Sequence, residues 1–126
     1  MKLHFAASGT RNLFTAYGEG YVMVNQARHE TSLIVLPDVP AEPWITHGMA
    51  ELGMVDFTPL LAHDPEIILL GSGATLQFPG REIRAALAEM RIGVEIMDTY
   101  AACRTWNILA GEGRKVAAAL LMPRKP

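Results

Sequence analysis

The chain has 126 residues, half of them hydrophobic, and a formal net charge of −2. That length fits one domain, residues 1–126, with enough apolar residues for a core of its own. The charge balance argues against a nucleic-acid binder, which needs a strong basic face, and the terminal pair Arg124-Lys125 is too short to supply one.

Cellular placement follows from what the sequence does not carry. One cysteine, Cys103, cannot close an internal disulfide, which favours a reducing compartment. The apolar run near Met1 is short for a signal-peptide core, and His4 interrupts it. No window approaches the roughly 20 apolar residues of a membrane span. These features lead us to expect a soluble, cytoplasmic chain with no membrane span.

Residues 11–36 read as β-structure. Asn12–Tyr17 and Tyr21–Asn25 flank Gly18-Glu19-Gly20, a hairpin signal of aromatic and β-branched residues around a glycine-rich turn. Gln26–Glu30 reads as a polar turn. Thr31–Leu36 is a continuous apolar run, as in a strand covered on both faces. Pro37, Pro40 and Pro43 make the next stretch loop-rich, because proline cannot donate to a ladder. Trp44-Ile45-Thr46 reads as a short strand. Asp56–Ala62 reads as a short helix, with Asp56 or Thr58 as its cap and Pro59 in its first turn.

From residue 66 strands and helices alternate. Glu66–Leu70 is a strand closed by Gly71-Ser72-Gly73. Arg81–Arg91 is helical, with Ile83, Ala86, Leu87 and Met90 on one face. Val94–Met97 is the next strand, residues 99–111 the second helix, and Lys115–Leu121 the last strand. Strands joined by helices of this length are expected to be parallel, with right-handed crossovers. The sum is a three-layer α/β domain on a mixed sheet behind an N-terminal β-hairpin region. Parallel pairing sends Gly71–Gly73 and Asp98-Thr99 out of the same sheet edge, where open α/β sheets commonly hold ligands.

The chemistry-bearing motifs all fall short of a catalytic signature. Gly71-Ser72-Gly73 lacks the third glycine of a dinucleotide fingerprint, and that position holds Leu76. Neither a P-loop lysine nor the spacing of a nucleophile elbow is present. The glycines therefore read as a tight turn, with a ligand-cradling loop as the competing reading. Cys103 lies one turn into its helix beside Arg104, a setting that can lower a thiol pKa. No histidine lies near it to act as a base, and a small buried hydrophobe is the simpler reading.

Asp98 and Thr99 read as helix caps. Arg104 and Asn107 share one side of the helix by i, i+3 spacing. Together with Gly71, Ser72, Gly73, Asp98, Thr99 and Cys103 they define a candidate polar crevice, able to take a small anion or nucleotide at the helix start, and the alternative to a non-enzymatic module is a small-molecule binder or enzyme that uses it. A hydrogen-bond network that ties loops together accounts for the same residues. His4, His29, His47 and His63 lack the spacing of a zinc site, so no metal is expected. No cofactor is expected either.

The segments Ser32–Asp38, Leu70–Gly73 and, above all, Ile92–Asn107 carry a family resemblance. The chain resembles the small MTH938-like proteins of unknown function (DUF498), from about Tyr21 to Leu121 and in the same motif order. That family includes the mitochondrial complex I assembly factor 3. The resemblance implies a three-layer α/β fold on a mixed five-stranded sheet, one strand antiparallel to the rest. It implies a non-enzymatic binding or assembly role, with a respiratory complex subunit or assembly factor as partner. Carried onto this sequence, its motif falls on Gly71, Gly73, Asp98, Thr99, Cys103, Arg104 and Asn107. A homo-oligomer is a further expectation of our own for the exposed loop surface.

Overall fold

The computed structural model describes residues 11–124. The expectations for Met1–Thr10, including His4, and for Lys125 lie outside the described residues.

The described residues form two sheets. Phe14–Gly18 (β1), Tyr21–Val24 (β2) and Ala27–His29 (β3) form an antiparallel three-stranded sheet in chain order. The second sheet has five strands: Leu33–Val35 (β4), Glu42–Pro43 (β5), Ile67–Ser72 (β6), Gly93–Met97 (β7) and Val116–Leu121 (β8), in the order β5-β4-β8-β6-β7. β6 pairs in parallel with both β7 and β8, whereas β4 is antiparallel to β8 and to β5. One strand, β4, therefore runs against the other four, as the resemblance implies. Among the described residues three α-helices complete the fold: Thr58–Leu61 (α1), Arg81–Glu89 (α2) and Thr99–Gly111 (α3).

Period-2 alternation divides the core between the two faces of the larger sheet. Ile34, Ile68, Leu70, Ala117 and Ala119 point to one face, where Phe57, Leu60, Ile83 and Leu87 cover them. Leu33, Val35, Leu69, Val116, Ala118 and Leu120 point to the other, against Ala102, Trp106 and Ala110 of α3 and Phe14 and Val22 of the smaller sheet. The larger sheet is thus the middle of three layers. Three successive alanines in β8, all fully buried, leave room for the bulk that covers them. Trp106 fills part of that room, edge-on to Phe14 with ring centroids 6.1 Å apart. Removing a side chain of that size leaves a cavity worth about 3–5 kcal/mol.

Three local expectations are corrected. Gln26–Glu30 is not simply a turn, because Ala27–His29 pairs with Val22–Val24. The strand is an edge strand with largely exposed side chains, so it lacks the apolar alternation that marks strands in sequence. The strand expected at Trp44–Thr46 is displaced to Glu42–Pro43. Pro43 is tolerated because β5 is a two-residue edge strand. Trp44 turns inward and donates its indole N–H to the Asp56 carbonyl at 2.8 Å, while Ile45 is 88% exposed. Finally, Met90 leaves the buried face of α2, which ends one residue earlier. Among the described residues no helix is long and apolar enough to cross a membrane.

Candidate functional site

The carboxyl ends of β6, β7 and β8 meet at the start of α3. Asp98 takes extended backbone angles and caps the helix, its Oδ1 accepting the Ala101 N–H at 2.9 Å. Thr99 follows as the first helical residue and is fully buried. Its Oγ1 donates to the Leu121 carbonyl at 2.6 Å and accepts the Gly73 N–H at 2.9 Å. Its own N–H donates to the Gly73 carbonyl at 2.9 Å. One threonine therefore fastens the ends of β6 and β8 to the helix that follows β7.

The two glycines are explained by this joint. A Cβ at Gly71 would stand 2.7 Å from Leu120 Cδ2 and 2.9 Å from Thr99 Oγ1, closer than packed atoms allow. Gly73 sits at φ +99°, outside the range that side chains favour. Between them Ser72 accepts the Gln77 N–H at 3.0 Å. Its hydroxyl lies 2.7 Å from the Thr75 carbonyl and 3.2 Å from that of Met97, and its single proton serves one of them at a time. Ser72 thereby folds the loop 73–77 back onto the strand end.

Arg104 and Asn107 face elsewhere. Arg104 Nη1 donates to the Tyr17 hydroxyl at 2.6 Å. Asn107 accepts the Phe14 N–H at 2.9 Å and returns its amide to the Phe14 carbonyl at 2.8 Å, as a neighbouring strand would. Their i, i+3 spacing matches that of Phe14 and Tyr17, so α3 grips β1 at two points. Trp106 adds a third hydrogen bond to this seam, from its indole N–H to the Asn12 carbonyl at 2.8 Å. The candidate residues thus fall into two groups. Gly71, Ser72, Gly73, Asp98 and Thr99 come together at the sheet edge, while Arg104 and Asn107 engage the smaller sheet.

Cys103 lies between the groups, fully buried in the core. Burial pushes its thiol up to about 12; Arg104 pulls the other way and is outweighed, while Asp98 adds to the rise. The side chain is a neutral thiol at physiological pH. Tyr100, whose ring centroid is 5.0 Å from that of Tyr17, is also raised, by burial first and then by Glu19, Asp98 and Tyr17. Among the described residues no group of three or more His, Cys, Asp or Glu side chains is placed to hold a metal ion.

Two residues that matter here carry no sequence signal of their role. Asn12, buried, donates its amide to the Leu36 carbonyl at 2.7 Å and joins the two sheets. Tyr17 reads as an ordinary strand residue until Arg104 is placed against it. The chemistry of the whole arrangement is retention: polar groups hold strand ends, helix and smaller sheet in register. What it presents outward is the loop after β6, where Leu76 and Phe78 are exposed and the Arg84 guanidinium lies 5.6 Å from the Phe78 ring centroid.

A family model described as a protein of unknown function (DUF498/DUF598) matches residues 14–121. The chain belongs to that family. It is 32% identical over 107 residues to an uncharacterised protein of Rhodobacter capsulatus, covering 83% of this chain and 80% of that one. It is 41% identical over 64 residues to the zebrafish NADH dehydrogenase (ubiquinone) 1 alpha subcomplex assembly factor 3, covering 51% of this chain. That match takes in 37% of the assembly factor, so the DUF498 chain spans well under half of its relative's length. A Bordetella pertussis solution structure described as a Mth938-like domain superposes with a TM-score of 0.77 at 35% identity, over 98% of this chain and 92% of that one. The MTH938-like fold expected from Ile92–Asn107 is the one observed.

Proposed function

We propose that this DUF498 protein is a non-enzymatic binding module that docks a respiratory-complex subunit or assembly factor through its loop after β6. The observation that carries this reading is the use of the signature residues. Thr99, Ser72 and Gly73 hold the base of a loop whose tip exposes Leu76 and Phe78, side chains more than half accessible. Preorganised apolar side chains on a fixed loop suit protein docking, because little conformational freedom remains to be lost on binding. Support also comes from the neutral, buried Cys103 thiol, and from the likeness to assembly factors named above. The reading includes a cytoplasmic location and admits self-association through the same apolar pair.

The experiment is affinity purification of the tagged full chain from its native cells, beside a Leu76→Ser, Phe78→Ser double variant. Wild type is expected to recover a subunit or assembly factor of the respiratory NADH dehydrogenase, and the double variant to lose it while keeping the wild-type melting temperature. Reproducible recovery of nothing but the chain itself would overturn the proposal. So would a double variant that recovers the same partner undiminished.

A further inference from the structure

The amino-terminal ends of β6, β7 and β8 form the opposite edge of the sheet, and they are built differently. The backbone there is fixed: Glu66 N–H donates to the Lys115 carbonyl at 2.8 Å, and Gly93 N–H to the Glu66 carbonyl at 2.9 Å. An open cavity of about 640 Å³ lies against these strand starts. Its walls include Ile67, Met90 and Ile92, and three cations stand round it: Arg91, Arg114 and Lys115. None of the three charged heads has a hydrogen-bonding or ion-pairing partner among the described residues, where the one ion pair is Arg28–Glu30.

Arg91 adds an independent mark. It holds φ 60°, the left-handed conformation that glycine normally supplies at a helix C-terminus. The surrounding bonds are those of that motif, with Arg91 N–H to the Ala88 carbonyl at 2.9 Å and Ile92 N–H to that of Leu87 at 3.2 Å. An arginine at that position accepts strain that a glycine would avoid, and it is one of the residues that line the cavity. Strain of this kind points to a use for the side chain. Two carboxylates also line the cavity, Asp64 and Glu66, which leaves the lining one positive charge in excess. Glu66 Oε1 is engaged by the Lys115 N–H at 3.2 Å.

We propose that this edge binds a phosphate monoester bearing a short apolar or aromatic body. Two guanidinium forks and an ammonium suit a dianionic head. The apolar body lies over Ile67 and Ile92, and concave sites of this mixed kind are where small ligands are usually held. The phosphate could belong to a soluble metabolite or to a lipid headgroup; the recognising chemistry is shared.

The test titrates the full chain with hexyl phosphate, following backbone amide shifts by NMR, with hexanol as the uncharged control. Saturable shifts are expected at Ile67, Ile92, Gly93 and Lys115, and none of comparable size with hexanol. Arg114→Gln, Lys115→Gln and Arg91→Gly should each weaken binding about tenfold, as expected for the loss of one charge-assisted contact. Arg91→Gly is the informative variant, because relief of the left-handed strain makes it fold at least as well as wild type. A second arm measures sedimentation with phosphatidylcholine vesicles containing phosphatidic acid. Vesicle binding that hexyl phosphate cannot displace, but that Lys115→Gln abolishes, would assign the phosphate to a lipid headgroup; binding of hexyl phosphate alone would assign it to a soluble ligand. The proposal is overturned if neither probe binds saturably at this edge, if hexanol reproduces the shifts, or if Arg91→Gly and Lys115→Gln bind as tightly as wild type.

Discussion

Thr99→Val removes one hydroxyl and almost no volume, which isolates the joint between three strand ends. The Gly73 N–H loses its acceptor at 2.9 Å and the Leu121 carbonyl its donor at 2.6 Å. Thr99 is fully buried, so water does not simply replace the hydroxyl. An orphaned buried polar group costs about 1–3 kcal/mol. The Leu121 carbonyl has a second lone pair and suffers less than the Gly73 N–H, so the total should be about 2–4 kcal/mol. For a chain of this size, each kcal/mol moves the melting temperature by roughly 3–5 °C. Calorimetry and urea unfolding should therefore show a clear drop, with the urea slope unchanged. Thr99→Ser keeps the hydroxyl and should lose about 1 kcal/mol or less, from one methyl group. The reasoning fails if the valine variant lies within about 0.5 kcal/mol of wild type, or if serine is as damaging as valine.

Four further outcomes follow from the same geometry. Gly71→Ala drives a methyl group against Thr99 and Leu120 and should destabilise by about 1–3 kcal/mol, read as a lower urea midpoint. Cys103 should resist thiol reagents in the native state and react only on unfolding. Because its thiol is raised to about 12 from an ordinary 9.0, the unfolded chain releases that proton first as pH climbs. Stability should therefore be intact below pH 9 and fall above it, by up to about 1.4 kcal/mol per pH unit until the folded thiol also ionises, and Cys103→Ala should flatten that slope. Asn107→Asp keeps the acceptor for Phe14 N–H but sets a carboxylate against the Phe14 carbonyl; the Phe14 amide should exchange its hydrogen faster, with a loss of about 2 kcal/mol. Arg91→Gly should raise the urea midpoint by an amount worth about 1 kcal/mol, since the left-handed cost disappears.

Sequence pattern and structure agree where period and length are strong. The helix expected at residues 99–111 is Thr99–Gly111, and the capping role expected of Asp98 is what its carboxylate performs. β6, β7 and β8 appear within a residue or two of their expected spans, and parallel pairing puts Gly71 beside Met97 and Leu120. Ala27–His29 was illegible because an exposed edge strand needs no apolar alternation. Trp44 and Ile45 share a hydrophobic character in sequence yet lie on opposite sides of the solvent boundary, which only the path of β5 decides. The partners of Arg104 and Asn107 were illegible for a different reason. Spacing along a helix says which residues share a side, but Phe14 lies 93 positions from Asn107, and no local rule names a partner at that distance.

The two edges of the larger sheet have taken opposite courses. General experience with open α/β sheets places ligands at the carboxyl ends of the strands. Here that edge is closed by a buried threonine, a serine that serves its own loop, and a glycine whose missing side chain lets Thr99 approach. A ligand entering it would have to replace bonds the protein already makes to itself. At the amino edge the backbone is paired, but Arg91, Arg114 and Lys115 are left without partners among the described residues, around open space. Unpaired polar groups are the ones that gain most from a ligand, because binding does not first require an internal bond to break. In this fold the sequence-specific signature therefore marks what must be held still, and the less conspicuous strand starts mark where charge remains to be neutralised.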